Sequence, residues 1–250
     1  MVRREPSPPL RGHVSSYYGY REETGAPLTR REGPGADVVV ILTFEEDWLI
    51  DGEPRTSFVG GLRNDQVTTE HQGRSHGMQV NIVPTSAYRM LGVPMSALAS
   101  KTVPLEDVLG NTLPVERLAK LDWAERFELV DAALTKRLDY RPVSSHEVEW
   151  AWHRLRATHG GIPIADLARE LGWSRKRIVA RFREEVGLTP KAAARLFRFE
   201  HARELAGHLP WAEVAFECGY YDQSHLINDF RAVTGRSPET FLQDTVSAAA

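Results

Sequence analysis

At 250 residues, 42% hydrophobic and 26% charged, the chain has the apolar content for one large domain or two ordinary ones. No apolar run approaches the ~20 residues of a membrane span. The basic start MVRREPSPPLRG has no apolar segment behind it, so a cytoplasmic location is expected. The single cysteine, Cys218, rules out an internal disulfide or a multi-cysteine metal cluster. The net charge of −3 hides an asymmetry. Residues 1–150 carry 17 Lys+Arg against 22 Asp+Glu (−5), and residues 151–250 carry 14 against 12 (+2).

The first half reads as strands followed by helices. Val38–Phe44 (VVVILTF) is β-branched and apolar, the pattern of a buried strand; Ser57–Val59 and Met78–Val83 are further candidates. Turn formers at Asp51-Gly52, Gly60-Gly61 and Asn64-Asp65 separate them. Tyr17, Tyr18, Tyr20, Trp48 and Phe58 are candidates for an apolar pocket or for ordinary core. The clearest helix is Asp122–Asp139, with Trp123, Phe127, Val130, Leu134 and Leu138 spaced 4, 3, 4, 4. Asp139–Ser145 (DYRPVSS) reads as a linker.

The last 100 residues contain a sentence written twice. FREEVGLTP (Phe182–Pro190) and FRAVTGRSP (Phe230–Pro238) both fit F-R-x-x-x-G-x-T/S-P, 48 positions apart. Upstream, Ile164, Leu167, Ala168 and Leu171 form one apolar helix face closed by Gly172; Trp211, Val214, Ala215 and Cys218 repeat it before Gly219, at an offset of 47. The second copy therefore has one extra residue in its turn, Tyr220-Tyr221 against Trp173. Ser174 and Asp222 are matching N-caps, each opening a helix with core positions Ile178 and Phe182 or Leu226 and Phe230. Gly187 and Gly235 end those helices, and Thr189-Pro190 or Ser237-Pro238 starts the next. The unit is helix, tight turn, helix, stop: a helix-turn-helix. Two copies are too few for a solenoid. Ser174–Arg183 (SRKRIVARFR) holds five basic residues and no acid, which a merely structural helix face would not require. In this pattern Cys218 takes the slot of Leu171, a small core residue.

Residues ~145–244 resemble the DNA-binding domain of the AraC/XylS transcriptional regulators. The matching residues are LAxxxGxS at Leu167–Ser174, the F-R-x-x-x-G-x-T-P after it, AxxxGY at Ala215–Tyr220, DQSHL at Asp222–Leu226, and F-R-x-x-x-G-x-S-P with Phe241 behind it. The resemblance covers about 100 of 250 residues. It implies an α+β chain: a β-rich, cupin-like N-terminal domain over 1–140, then an all-α, seven-helix domain over 145–244 with two helix-turn-helix units on a central helix, Pro190 to about Ala206. Leu196, Phe199 and Ala202 would pack that helix inward. Pro84–Pro94 with Val103–Gly110 resembles a subgroup of the same regulators. That implies a module that binds an unnamed small effector, dimerises, or both.

With Ile178 and Phe182 inward, Lys176, Ala180 and Arg183 point out and Val179 lies on the flank. The resemblance places base contacts at Lys176, Val179 and Ala180. Lysine reaches guanine acceptors, and Val and Ala meet a thymine methyl. Arg175, Arg177, Arg181 and Arg183 are candidates for phosphates. In the second unit the corresponding surface is Gln223, Ser224, Ile227 and Asn228, with Arg231 beyond; Gln and Asn suit adenine. Asn228 departs from the arginine frequent in the family, and Asp229 adds an acid near the DNA.

The expected partner is double-stranded DNA, bound by two units spaced for successive major grooves. A homodimer partner fits the same scheme, as does RNA polymerase if the chain activates. No cofactor, metal, catalytic residue or membrane partner is expected. The rival is a metal-dependent cupin-like enzyme with an appended DNA-binding domain. His71 and His76 are the close histidine pair it would use, but the H-x-H spacing of metal-binding cupins is missing. A non-specific, nucleoid-type binder is a second alternative.

Overall fold

The computed structural model describes residues 1–139 and 144–242. The expected linker therefore lies largely outside the described residues. Ten strands build the N-terminal part: β1 (Val2–Arg4), β2 (Val14–Glu23), β3 (Leu28–Glu32), β4 (Val38–Thr43), β5 (Trp48–Ile50), β6 (Glu53–Arg55), β7 (Phe58–Gly60), β8 (Val67–His71), β9 (Arg74–Ile82) and β10 (Thr102–Pro104). They form two antiparallel sheets, of order β1-β2-β9-β4-β7-β10 and β3-β8-β5-β6. The N-terminal part is β-rich, as expected.

The unbroken apolar run of β4 is explained by its two faces. Val38, Val40 and Leu42 face the main core, each at most 1% exposed. Val39 and Ile41 face the other way and belong to a small cluster with Ile50, Phe58, Trp48 and Val67 from both sheets. A strand covered on both faces loses the alternation of a half-wet strand. Where β2 lies beside Trp123 there is no room for a side chain: a Cβ on Gly19 would come within 2.1 Å of the indole.

Helices α1 (Pro84–Leu91), α2 (Met95–Leu98), α3 (Leu105–Leu109), α4 (Val115–Leu118) and α5 (Trp123–Asp139) cover the outer face of the larger sheet. The C-terminal part follows as α6 (His146–Ala157), α7 (Ile164–Glu170), α8 (Arg175–Val186), α9 (Pro190–Leu205), α10 (Trp211–Glu217) and α11 (Gln223–Thr234), with a last helical turn at residues 238–242. The repeated caps form as the spacing predicts. Ser174 accepts from the Arg177 N–H at 3.2 Å and Asp222 from the His225 N–H at 2.7 Å. Gly187 and Gly235 close α8 and α11 at φ of 94° and 65°, where a side chain would be strained.

The hydrophobic cores do not divide where the sequence suggests. One runs from Leu10 to Phe197 and joins the sheets, α1, α5 and the whole first helix-turn-helix unit. The other runs from Phe199 to Val233, with Phe241 packed against it, and belongs to the second unit. The break falls inside α9, between Phe197 and Phe199. Helices α1 and α2 pack directly on α8, so the first unit is seated on the N-terminal domain.

Candidate nucleic-acid interface and effector cavity

Helix α8 buries Ile178 and Phe182 completely. Arg175, Lys176, Arg177, Val179, Ala180 and Arg183 are exposed. Three of these cations, Arg175, Lys176 and Arg177, fill the first turn, which holds no acid. Cations at a helix N-terminus oppose the helix dipole, by about 0.3–1 kcal/mol each at low ionic strength. A sequence optimised for the helix alone would place acids there. The Arg177 guanidinium lies 4.4 Å above the Trp173 ring.

Arg181 does not join this surface. Its guanidinium is 2.9 Å from Glu184 and 2.6 Å from Glu185, whose side chain is fully buried. Glu185 also accepts from the Ser145 N–H at 2.8 Å and its hydroxyl at 3.0 Å. Burial raises the Glu185 carboxyl above its ordinary value, and the Ser145 and Arg181 contacts pull it back. Arg181 is thus paired with a buried acid, while its side chain stays 42% exposed. The signal was in the sequence: Ile178, Phe182 and Glu185 share one stripe of α8, and a carboxylate on a buried stripe needs a partner.

On α11, Gln223, Ser224, Asn228 and Arg231 are exposed, and Ile227 is half-buried against the second core. Asp229, the acid expected near the DNA, is only partly exposed. Its side chain is 15% exposed and pairs with Arg195 of α9 at 2.9 Å, fixing α11 to the connecting helix. Cys218 is buried among Val214, Leu226 and Phe230, and burial pushes its thiol up to about 11.

A cavity of about 860 Å³ lies between the two sheets. This is within the range of small-molecule sites. Tyr18, Tyr20, Trp48 and Phe58 line it, whereas Tyr17, one register position away on β2, faces the main core. The Trp48 indole N–H and the Thr69 hydroxyl, both on the lining, have no hydrogen-bond partner within the protein. At the mouth stand Arg30, Lys101 and Arg203 with Glu22, Asp37 and Glu200. Arg30 is committed to Glu22, at 2.5 and 2.9 Å, and holds that carboxyl below its usual range.

Two contacts tie the N-terminal part to the second unit. The Ala36 N–H donates to Glu200 of α9 at 3.1 Å. The Gln66 side-chain amide donates to the Thr234 carbonyl at the end of α11. Burial raises Glu200 and Asp37 above the ordinary carboxyl values, and Arg156 draws both back. The sequence offered no signal for these long-range contacts.

The two histidines of the enzymatic alternative are held separately. His71 Nε2 lies 3.4 Å from Glu22. Arg126 donates to His76 Nε2 at 3.1 Å, so Nδ1–H is left to donate to Glu45 at 3.2 Å. Among the described residues no three His, Cys, Asp or Glu side chains are placed to hold a metal ion.

The fold and the repeated surface define two helix-turn-helix units joined by a connecting helix. Residues 167–244 match the helix-turn-helix domain family. No curated protein was found to be similar. Among solved structures the chain is similar to unsaturated-fatty-acid-bound ToxT from Vibrio cholerae (11% identity, 96% of each chain, TM-score 0.52). It is also similar to an apo variant of ToxT (14% identity, 96% of this chain and 98% of that one, TM-score 0.51). These likenesses show the fold across both halves of the chain. No helix among the described residues is long and apolar enough to cross a membrane.

Proposed function

We propose that the chain is a sequence-specific DNA-binding transcription regulator, with a sensory N-terminal domain over residues 1–140 and the reading domain over 145–244. The observation that carries this is the surface of α8, where three cations crowd a first turn whose dipole disfavours them. Such local conflict marks function rather than folding, and the phosphate backbone is the partner that relieves it. Arg175, Arg177 and Arg183 bind phosphates. Lys176 reads a guanine edge, and Val179 and Ala180 meet a thymine methyl. In the second unit Gln223 and Asn228 read adenine, with Ser224, Ile227 and Arg231 beside them.

The cavity holds the effector. Its aromatic walls and charged lining suit a small amphipathic molecule; one similar structure holds an unsaturated fatty acid. An effector acts only through its different affinity for different arrangements of the protein. The Ala36–Glu200 and Gln66–Thr234 contacts supply the route: the first joins the cavity wall, and the second the neighbour of the lining residue Val67, to the unit that has its own core.

The test is selection from random duplex DNA with the full chain. A bipartite motif with half-sites ~10 base pairs apart is expected. Retention without any enriched motif, at affinities that ordinary competitor DNA removes, would refute sequence-specific reading.

A further inference from the structure

The two turns can be aligned atom by atom, and one residue is left over. Gly172 and Gly219 take the same left-handed conformation, at φ of 64° and 68°. The next residue in each turn donates its N–H back to the preceding helix: Trp173 to the Ala168 carbonyl and Tyr220 to that of Ala215, both at 2.9 Å. The ring contacts repeat too. Arg177 covers Trp173 at 4.4 Å, and His225, its counterpart on α11, meets Tyr220 edge-on at 5.4 Å. Tyr220 is therefore the counterpart of Trp173, and Tyr221 is the insertion.

Tyr221 is 93% exposed, more than any other large hydrophobic side chain among the described residues. It stands directly before Asp222, the N-cap of α11, and has no packing role there. The N-terminal residues of a reading helix approach the base edges, so the residue just ahead of its cap lies over the flanking sugar-phosphate strand. Helix α11 has no lysine or arginine before Arg231 in its last turn. The start of α11 is therefore left to hold phosphates mainly with groups other than Lys or Arg, and the tyrosine hydroxyl is one such donor.

We propose that Tyr221 is a DNA-contacting residue whose phenol O–H donates to a backbone phosphate beside the major groove entered by α11. The inference rests on the DNA-binding reading above. Because the donor is neutral, it releases no counterion and contributes affinity without changing the salt dependence.

The experiment uses the full chain and the duplex most enriched by the wild-type protein. Tyr221→Phe, at an exposed position, leaves the fold intact. It should weaken binding roughly three- to tenfold, the range of one neutral hydrogen bond. The slope of log K against log salt and the selected motif should not change. Ethylation of one phosphate flanking the second half-site should weaken the wild type and leave Tyr221→Phe unaffected. Equal affinity of the wild type and Tyr221→Phe would overturn the proposal, as would a changed motif, which would make Tyr221 a base reader. A wild type that enriches no duplex would sink the DNA-reading function and this inference together; a wild type that reads DNA beside an indifferent Tyr221→Phe sinks this inference alone.

Discussion

Replacing Arg181 by alanine separates a structural arginine from a DNA-binding one. Its guanidinium is shared between Glu184 and the fully buried Glu185, at 2.9 and 2.6 Å. Breaking a fully buried pair from one side costs about 3–5 kcal/mol. The Arg181 side chain is 42% exposed, and Glu185 keeps its Ser145 donors, so solvent and the remaining hydrogen bonds reduce the loss to about 1–2 kcal/mol. For a chain of this size that lowers the main thermal transition by about 2–8 °C. The pH dependence has a definite sign. Glu185 already has a raised carboxyl in the folded state, from burial, and losing Arg181 raises it further. A folded value above the unfolded one favours folding at low pH, and that gain is lost as pH rises through the folded value. The destabilisation by Arg181→Ala should therefore be largest at pH 7 and shrink toward the ordinary glutamate value. Thermal melts at the two pH values read this directly. Unchanged melting together with a DNA-binding salt slope reduced by ~0.9 would mean that Arg181 contacts phosphate after all.

Arg183→Ala removes an exposed cation of the reading helix and should lower the salt slope by ~0.9 while leaving the melting temperature in place; affinity titrations at several salt concentrations check it. Lys176→Ala should relax the selected motif at one or two base pairs, at about 1–3 kcal/mol of lost discrimination, and an unaltered motif removes Lys176 from the readout. The Cys218 thiol, pushed up to about 11 by burial with Glu217 and Glu204 adding to it, should resist iodoacetamide at pH 8 while folded. Its alkylation on heating should follow the melting of the second core, and rapid labelling at room temperature would contradict the packing.

The helix-turn-helix half was legible because its information is local. Apolar spacing, the Ser174 and Asp222 caps and the glycine stops each act within a few residues, and all of them form as read. The β half was legible only where a strand is apolar on both faces, as in β4. Strand β3, LTRRE, has one face on a polar cavity mouth and the other in water, so no apolar period marks it. Sheet pairing adds the rest, since Val14 meets Ile82 across the whole domain. Among the candidate site residues, helix-face geometry placed Lys176, Ala180, Gln223 and Asn228 outward as expected. It did not show the partners of Arg181 and Asp229, Glu185 and Arg195, which are set by what lies under the helices. Tyr221 was visible as an extra letter, but only the backbone of the turn shows which tyrosine is the extra one.

On the function proposed above, the division of the cores inside α9 also bears on how two unequal readers can share one operator. Helix α9 has 16 residues, about 24 Å of continuous helix at 1.5 Å per residue. Its first half is built into the body that carries α8, and its second half into the body that carries α11. Once α8 is in its groove, α11 searches only the small volume that this strut allows, so its binding becomes intramolecular. Effective concentrations for short tethers are on the order of millimolar, and joint engagement can add about 10²–10⁴ to affinity without a new contact. A second unit poor in cations is then sufficient. It needs only enough affinity to be held at the concentration its partner imposes, and a small change in the strut's direction can turn that contribution on or off.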